Sequence, residues 1–258
     1  MKKTLLFSLT LIVASFLFQD ADACTIIVVG KKASKDGSVI ISHSDGGKDC
    51  RIRVVPRKTY PEGAQAPVYW GIQRVDLPLD DQGEVIGHIP QVRETYRYIH
   101  SSYPHINEHQ LSIGESTMSQ RDALKFDREN GEQIMTIEQA QLFAMQRCKK
   151  AKEAVKLIGR LVEEYGFLPS CIGESECLVV ADPNEAWILE VFAVGPGWKR
   201  NSGKPGAIWA AKKVPDNHVT MVPNWSIIKE VDTTSADCMA SPNYKSFAIE
   251  KGWYDPDG

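Results

Sequence analysis

Residues 21–45 read ADACTIIVVGKKASKDGSVIISHSD, and this stretch decides the fold. Thr25 to Val29 is a continuous apolar run rich in β-branched residues, the pattern of a strand buried on both faces. Polar residues follow from Lys31 and end in Asp36-Gly37, a hairpin signal, after which Val39 to Ser42 makes a second strand. The residue that opens the first strand is Cys24. It follows Ala21-Asp22-Ala23, a small-x-small pattern of the kind a signal peptidase cleaves, so removal of residues 1–23 leaves a cysteine with a free α-amine. The thiol then stands at the edge of a sheet, held by rigid backbone.

A thiol attacks a carbonyl well only as thiolate, and a reference pKa of about 8.5 leaves little of it at neutral pH. An α-amine, with a reference pKa of about 7.7–8.0, is partly neutral where a lysine is fully charged, and it sits on the same residue. Cys24 therefore carries both nucleophile and base, with no histidine partner required. The competing reading is an exported cysteine destined for a disulfide or a lipid anchor. A bacterial lipobox wants a leucine-like residue three places before the cysteine and a small one two places before it, where this chain has Ala21 and Asp22.

Upstream, Lys2 and Lys3 precede an apolar run from Leu5 to Phe18, which completes a signal peptide over residues 1–23. The run is shorter than the about 20 residues a bilayer span needs. The expectation is an exported protein, periplasmic or secreted, without stable membrane insertion. The 258 residues and 43% hydrophobic content suit one large domain, taken as residues 24–258. A net charge of -3 gives no electrostatic case for nucleic acid. There is no HExxH, no CxxC pair and no Walker or Rossmann glycine pattern, so neither a metal nor a cofactor is expected. Six cysteines, at 24, 50, 148, 171, 177 and 238, form an even set. Reserving Cys24 leaves at least one other unpaired, and Cys171 with Cys177 is the close pair that a bridge would use.

Downstream, Arg51 to Val55 is a candidate third strand. Residues 56–93 are rich in Pro, Gly and Asp and read as long loops and short strands, suited either to a substrate rim or to packed irregular surface. Ile106 to Thr117 is a turn followed by a strand. Thr136 to Gly166 is helical: Thr136 to Gln139 fits a capping box, and Ala151, Ala154, Val155, Ile158, Leu161, Val162 and Tyr165 share one face. Glu176 to Ala181 and Ala186 to Phe192 form a hairpin across Asp-Pro-Asn-Glu, and Ile208 to Ala211 and Val219 to Val222 are further strands. Strands before and after one helical block give an α+β class with a largely antiparallel sheet. The closing GWYDPDG carries no terminating element, so the natural chain is expected to continue past Gly258.

Several ordered motifs resemble the C69 dipeptidases, relatives of the secernins. They are residues 24–38 (CTIIVVGKKASKDGS), Asn107-Glu108 with Gly114-Glu115-Ser116-Thr117, Glu185 to Glu190 (EAWILE), Val214-Pro215-Asp216, and Asn224. The resemblance covers nearly all of the chain after residue 23. It implies an N-terminal nucleophile hydrolase with a four-layer αββα sandwich that hydrolyses amide bonds in dipeptides. Cys24 matches the family's nucleophile. Asn107 and Asn224 match asparagines that support the oxyanion or line the pocket, in this family and in related bile-salt hydrolases and penicillin V acylases. Family members commonly have an arginine and, three residues later, an aspartate where this chain has His43 and Gly46, so Asp45, one place early, is assigned to orient the α-amine and His43 to the substrate. Lys213 takes the place of an arginine before Val-Pro-Asp and is assigned to substrate binding, although a lysine lacks the bidentate fork. The expected partner is a small unblocked peptide, with a homo-oligomer left open. The alternatives are an acylase on non-peptide amides and a binding lipoprotein anchored through Cys24.

Overall fold

The computed structural model describes residues 24–44, 51–70, 83–126, 129–171 and 173–257. Eleven strands build two main sheets. In chain order they are β1 (Thr25–Val29), β2 (Ile40–Ser44), β3 (Arg53–Val55), β4 (Tyr98–His100), β5 (Pro104–Asn107), β6 (Ser112–Met118), β7 (Ser175–Ala181), β8 (Ala186–Phe192), β9 (Ile208–Lys213), β10 (Val219–Pro223) and β11 (Cys238–Ala240). Helices α1 (Ile137–Arg147) and α2 (Ala151–Tyr165) come between β6 and β7, and α3 (Tyr244–Glu250) follows β11. The small sheet has the order β10-β1-β2, and the large one runs β11-β9-β8-β7-β6-β5-β4-β3. Neighbours in both sheets pair antiparallel. The α+β class and the antiparallel sheets expected from sequence are present.

Two apolar cores follow from the two-residue period of the central strands. Leu178, Val180 and Leu189 pack with Phe143, Ile158 and Val162 of the helices. Cys177, Val179 and Ile188, which alternate with them, pack with Met118, Ile26, Val28 and Val222 instead. Every residue of β7 is buried, because the strand serves both cores. The described residues therefore stack as helices, large sheet and small sheet. The double burial expected for β1 is corrected to burial on one side: Ile26 and Val28 are fully covered, but Ile27 is 45% exposed. The outer face of the small sheet also exposes Ile40, Val219 and Met221. A second helical layer, which the four-layer expectation would put over such a face, is not among the described residues.

Local chemistry sets the boundaries. Thr136 caps α1, its Oγ1 accepting from Gln139 N at 3.3 Å, which is one half of the expected capping box; the Gln139 side chain accepts from Tyr69 N at 3.4 Å. Helix α2 buries all seven residues of the face read from sequence and ends at Gly166, whose φ of 72° favours glycine. The helical block is broken at Cys148–Lys150, and Asp182 Oδ2 satisfies the first amide of α2, accepting from Ala151 N at 2.8 Å. The hairpin formed by Gln65–Trp70 and Glu84–Pro90 puts Ala66, Val68 and Ile89 into the helix-side core. This part of the 56–93 segment packs against the helical layer, and residues 71–82 lie outside the described residues. The Cys171–Cys177 bridge does not form: Cys177 is buried between the sheets, Cys171 is exposed, and both are free.

Where the small sheet crosses the large one, Gly114 of β6 removes the obstacle of a side chain. A Cβ there would stand 3.2 Å from Ile26 Cγ2 and 3.3 Å from His43 Cβ. Gly114→Ala is expected to destabilise the fold by about 1–3 kcal/mol through overpacking. Urea denaturation checks this: the midpoint should fall with an unchanged slope, and an unchanged midpoint would mean that the two sheets are not in close contact.

Candidate active site

Cys24 directly precedes β1, and the register of β1 decides its neighbours. Thr25 pairs with Ser44 of β2 on one side and with Pro223 of β10 on the other. His43, opposite Ile26, and Asn224, which follows Pro223, therefore flank Cys24. The backbone is pinned at this point: Ser116 Oγ donates to Cys24 O at 3.2 Å, and Thr25 N donates to Ser44 Oγ at 3.1 Å. Asn224 Nδ2 donates to Thr117 O at 2.7 Å, tying the end of β10 to β6. Cys24 Sγ, a ring nitrogen of His43 and a carboxylate oxygen of Glu115 all lie within 4.8 Å of one another. A thiol, an imidazole and a carboxylate so placed can share a proton, and they are near enough to meet one cation. The His43 ring also stands edge-on to Tyr103, with centroids 6.0 Å apart, and 6.1 Å from His105.

Behind Cys24 lies a group of buried acids. Glu115 is fully buried and accepts from Thr117 Oγ1 at 3.2 Å. Glu176, also fully buried, accepts at Oε1 from Ser170 N at 2.7 Å and Ser170 Oγ at 2.6 Å, and it hydrogen-bonds Glu115. Burial, followed by the charge of Glu115 and that hydrogen bond, holds the Glu176 carboxyl well above the usual range. Glu138, in the first turn of α1, is pushed up to about 7 by burial, against the opposing pull of its own backbone N–H. The Tyr103 phenol is raised far above its ordinary value by burial and by the charges of Glu115, Glu138 and Glu176. Two other thiols are suppressed: burial pushes Cys148 up to about 12, and burial with the charge of Glu190 raises Cys177.

The site residues expected from sequence fall into two groups. Cys24, His43 and Asn224 come together. Asn107 and Lys213 do not join them. Asn107 Nδ2 donates to Met145 O and Cys148 O, both at 2.9 Å, and its Oδ1 accepts from His109 N at 2.9 Å and Leu111 N at 3.2 Å. With both hydrogens spent on the end of α1, Asn107 clamps a helix terminus on the far side of the large sheet from the small one. Lys213 pairs with Glu185 at 3.3 Å. Ser116 aligns through Cys177 and Glu190 with Ala210, so Lys213 lies further along β9, at the end away from Cys24. The Val214-Pro215-Asp216 motif is likewise a tie: Asp216 meets Lys31 at 3.4 Å and its carbonyl accepts from Lys32 N at 2.8 Å. Asp45 lies outside the described residues. Sequence reasoning gave no role to Glu115, although it quoted the residue within a motif. Glu176 and Glu138 were absorbed into a strand and a helix cap, and the signal that marks all three is acidic residues inside apolar stretches.

Residues 23–258 match the model of peptidase family C69. A "Probable dipeptidase" of Salmonella dublin is 25% identical over 99% of this chain and 54% of its own length. "Probable dipeptidase B" of Lactococcus lactis is 26% identical over 91% of this chain and 46% of its own. The "Dipeptidase" of Bifidobacterium longum is 27% identical over 83% of this chain and 39% of its own. The chain spans about half the length of these relatives.

The acid cluster fixes how stability varies with pH. In the fold Glu138 keeps its proton up to about pH 7, whereas its ordinary value is 4.5. Between those values the unfolded chain binds fewer protons, so stability is full at the acidic end and falls as pH rises, by about 3 kcal/mol for this one group. Denaturation midpoints near pH 5 and near pH 8 should show that fall, and Glu138→Gln should reduce it. Equal slopes in the two proteins would contradict the assignment.

Proposed function

The chain belongs to peptidase family C69, and on that premise we propose that it is an exported cysteine dipeptidase of the N-terminal nucleophile class, acting on short peptides with a free amine. The observation that carries the reading is the convergence of the Cys24 thiol, the His43 imidazole and the Glu115 carboxylate within 4.8 Å, at the start of a strand pinned on both sides. The dipeptidase names of the relatives support the substrate class.

The mechanism begins when removal of residues 1–23 frees the α-amine of Cys24. The neutral amine takes the thiol proton, and the sulfur attacks the scissile carbonyl carbon. The oxygen becomes an oxyanion. Asn224 is the donor for it: one hydrogen of its amide is on Thr117 O, and the other remains to be given to the substrate. This role passes to Asn224 because the amide of Asn107 is committed to Met145 and Cys148. The α-ammonium then gives its proton to the leaving amine, the C–N bond breaks, and a thioester remains on Cys24. Water, deprotonated by the same amine, hydrolyses the thioester and restores the thiol. His43 lies beside the thiol and orients the incoming peptide.

A substrate panel tests the reading. Free dipeptides should be hydrolysed in preference to N-blocked dipeptides, glycine-conjugated bile acids and penicillin V, by a route that thiol reagents stop and chelators do not. Cys24→Ala should lower the rate by on the order of 10⁴-fold or more while leaving the denaturation midpoint unchanged. Preference for a bile-acid conjugate or penicillin V would move the protein to the acylases, and substantial activity in Cys24→Ala would remove the nucleophile.

A further inference from the structure

Resting on the peptidase reading above, we propose that Glu115 is the subsite for the substrate's own α-ammonium group, and that it thereby fixes the scissile bond as the one after the first residue. The argument is one of distance. The amine of an N-terminal residue lies about 2.5 Å from the carbonyl carbon of the same residue. A sulfur in attack position stands about 3–3.5 Å from that carbon. A charge-assisted N–H···O contact spans about 2.7–2.9 Å. A carboxylate that holds the amine while the sulfur attacks therefore sits roughly 4–6 Å from the sulfur, once the three contacts bend around the substrate. The Glu115 carboxylate lies within 4.8 Å of Cys24 Sγ, inside the outer limit of that reach. The amine of a chain extended by one residue would lie about 3.8 Å further away and out of reach.

The surroundings of Glu115 fit an ammonium ligand. It is fully buried, so a bound cation is shielded from competing water. Glu176 supports it with a hydrogen bond, so the negative charge at this point is that of Glu115 itself. That charge attracts the amine end of a peptide and disfavours its carboxylate end, which sets orientation as well as affinity. Two other buried carboxylates, away from the thiol, hold backbone. Glu190 accepts from Ser226 Oγ, Ile227 N and Ile228 N at 2.7, 2.6 and 2.9 Å, and Asp182 accepts from Ala151 N, Asn184 N and Glu185 N at 2.8, 2.7 and 3.1 Å. Glu115 is the buried acid of this group placed beside the thiol.

The test compares Ala-Ala with N-propionylalanine, the same molecule without the α-amine, on the mature protein and on Glu115→Gln. Wild type should favour Ala-Ala in kcat/KM, and the variant should lower that preference by on the order of 100-fold. A variant that loses activity on both substrates in equal proportion, keeping the wild-type ratio, overturns the subsite and leaves Glu115 a positioning residue for Cys24. Should the variant not fold, product mapping on wild type decides. A mixed tripeptide such as Ala-Gly-Phe should release alanine first, and release of phenylalanine with intact Ala-Gly would overturn the proposal. Failure of wild type to cleave Ala-Ala at all would count against the peptidase reading itself, an outcome distinct from an unchanged ratio, and would withdraw the subsite with it.

Discussion

The register of β1 between β2 and β10 is the constraint on which the rest of the site depends. Pairing Thr25 with Ser44 and with Pro223 sets His43 and Asn224 on either side of Cys24. A slip of one residue would turn every side chain of β1 to the opposite face. The register is held by burial of Ile26, Val28 and Val222 against the large sheet. It is also held by the absence of a side chain at Gly114, which lets β1 and β2 approach β6. The loop after β1 is fastened by Asp216 to Lys31 and Lys32, so the far end of the strand is fixed as well. The site is thus a consequence of core packing rather than of loop placement.

Such packing brings a cost at the same place. Glu115, Glu138 and Glu176 are carboxyls with little or no exposure, and groups of that kind are tolerated in an interior when they are protonated or hydrogen-bonded. Ser170 and Thr117 supply hydrogen bonds of that kind, and burial with the neighbouring Glu115 holds the Glu176 carboxyl well above the usual range. The fold accepts a destabilising cluster next to Cys24, which is the usual sign that the charge serves binding or chemistry. The inert thiols point the same way. Cys148 and Cys177 sit in surroundings that disfavour thiolate, while Cys24 lies beside groups that can exchange protons with it.

Much of this was legible in the sequence because it rests on local rules. The Ala154, Val155, Ile158 and Val162 stripe marks α2, Thr136 marks the cap of α1, and the Asp-Pro-Asn-Glu turn marks the β7–β8 hairpin. Cys24 was legible because its environment in the sequence, after a small-x-small site and before an apolar strand, is unusual. What sequence did not give was depth. The apolar run of β1 looks the same whether one face or two are covered, and the exposure of Ile27 is known once the layers are seen. Asn107 and Lys213 were assigned by motif position. Their motifs turn out to hold a helix end and a strand end, since an asparagine with four hydrogen-bonding sites satisfies buried backbone as readily as a substrate. Glu115 passed unnoticed because a single acid in a strand reads as an exposed residue until its neighbours are known.

The central claim is that one residue supplies both nucleophile and base, and the most direct measurement is of two preparations of the same chain. One begins at Cys24, verified by intact mass, and the other retains Ala23 in peptide linkage, so that the thiol is identical and the amine is an amide. The account predicts dipeptide turnover and a thioester adduct on Cys24 in the first, and neither in the second although it folds. Equal turnover by the two would contradict it, because a base other than the α-amine would then be activating the thiol.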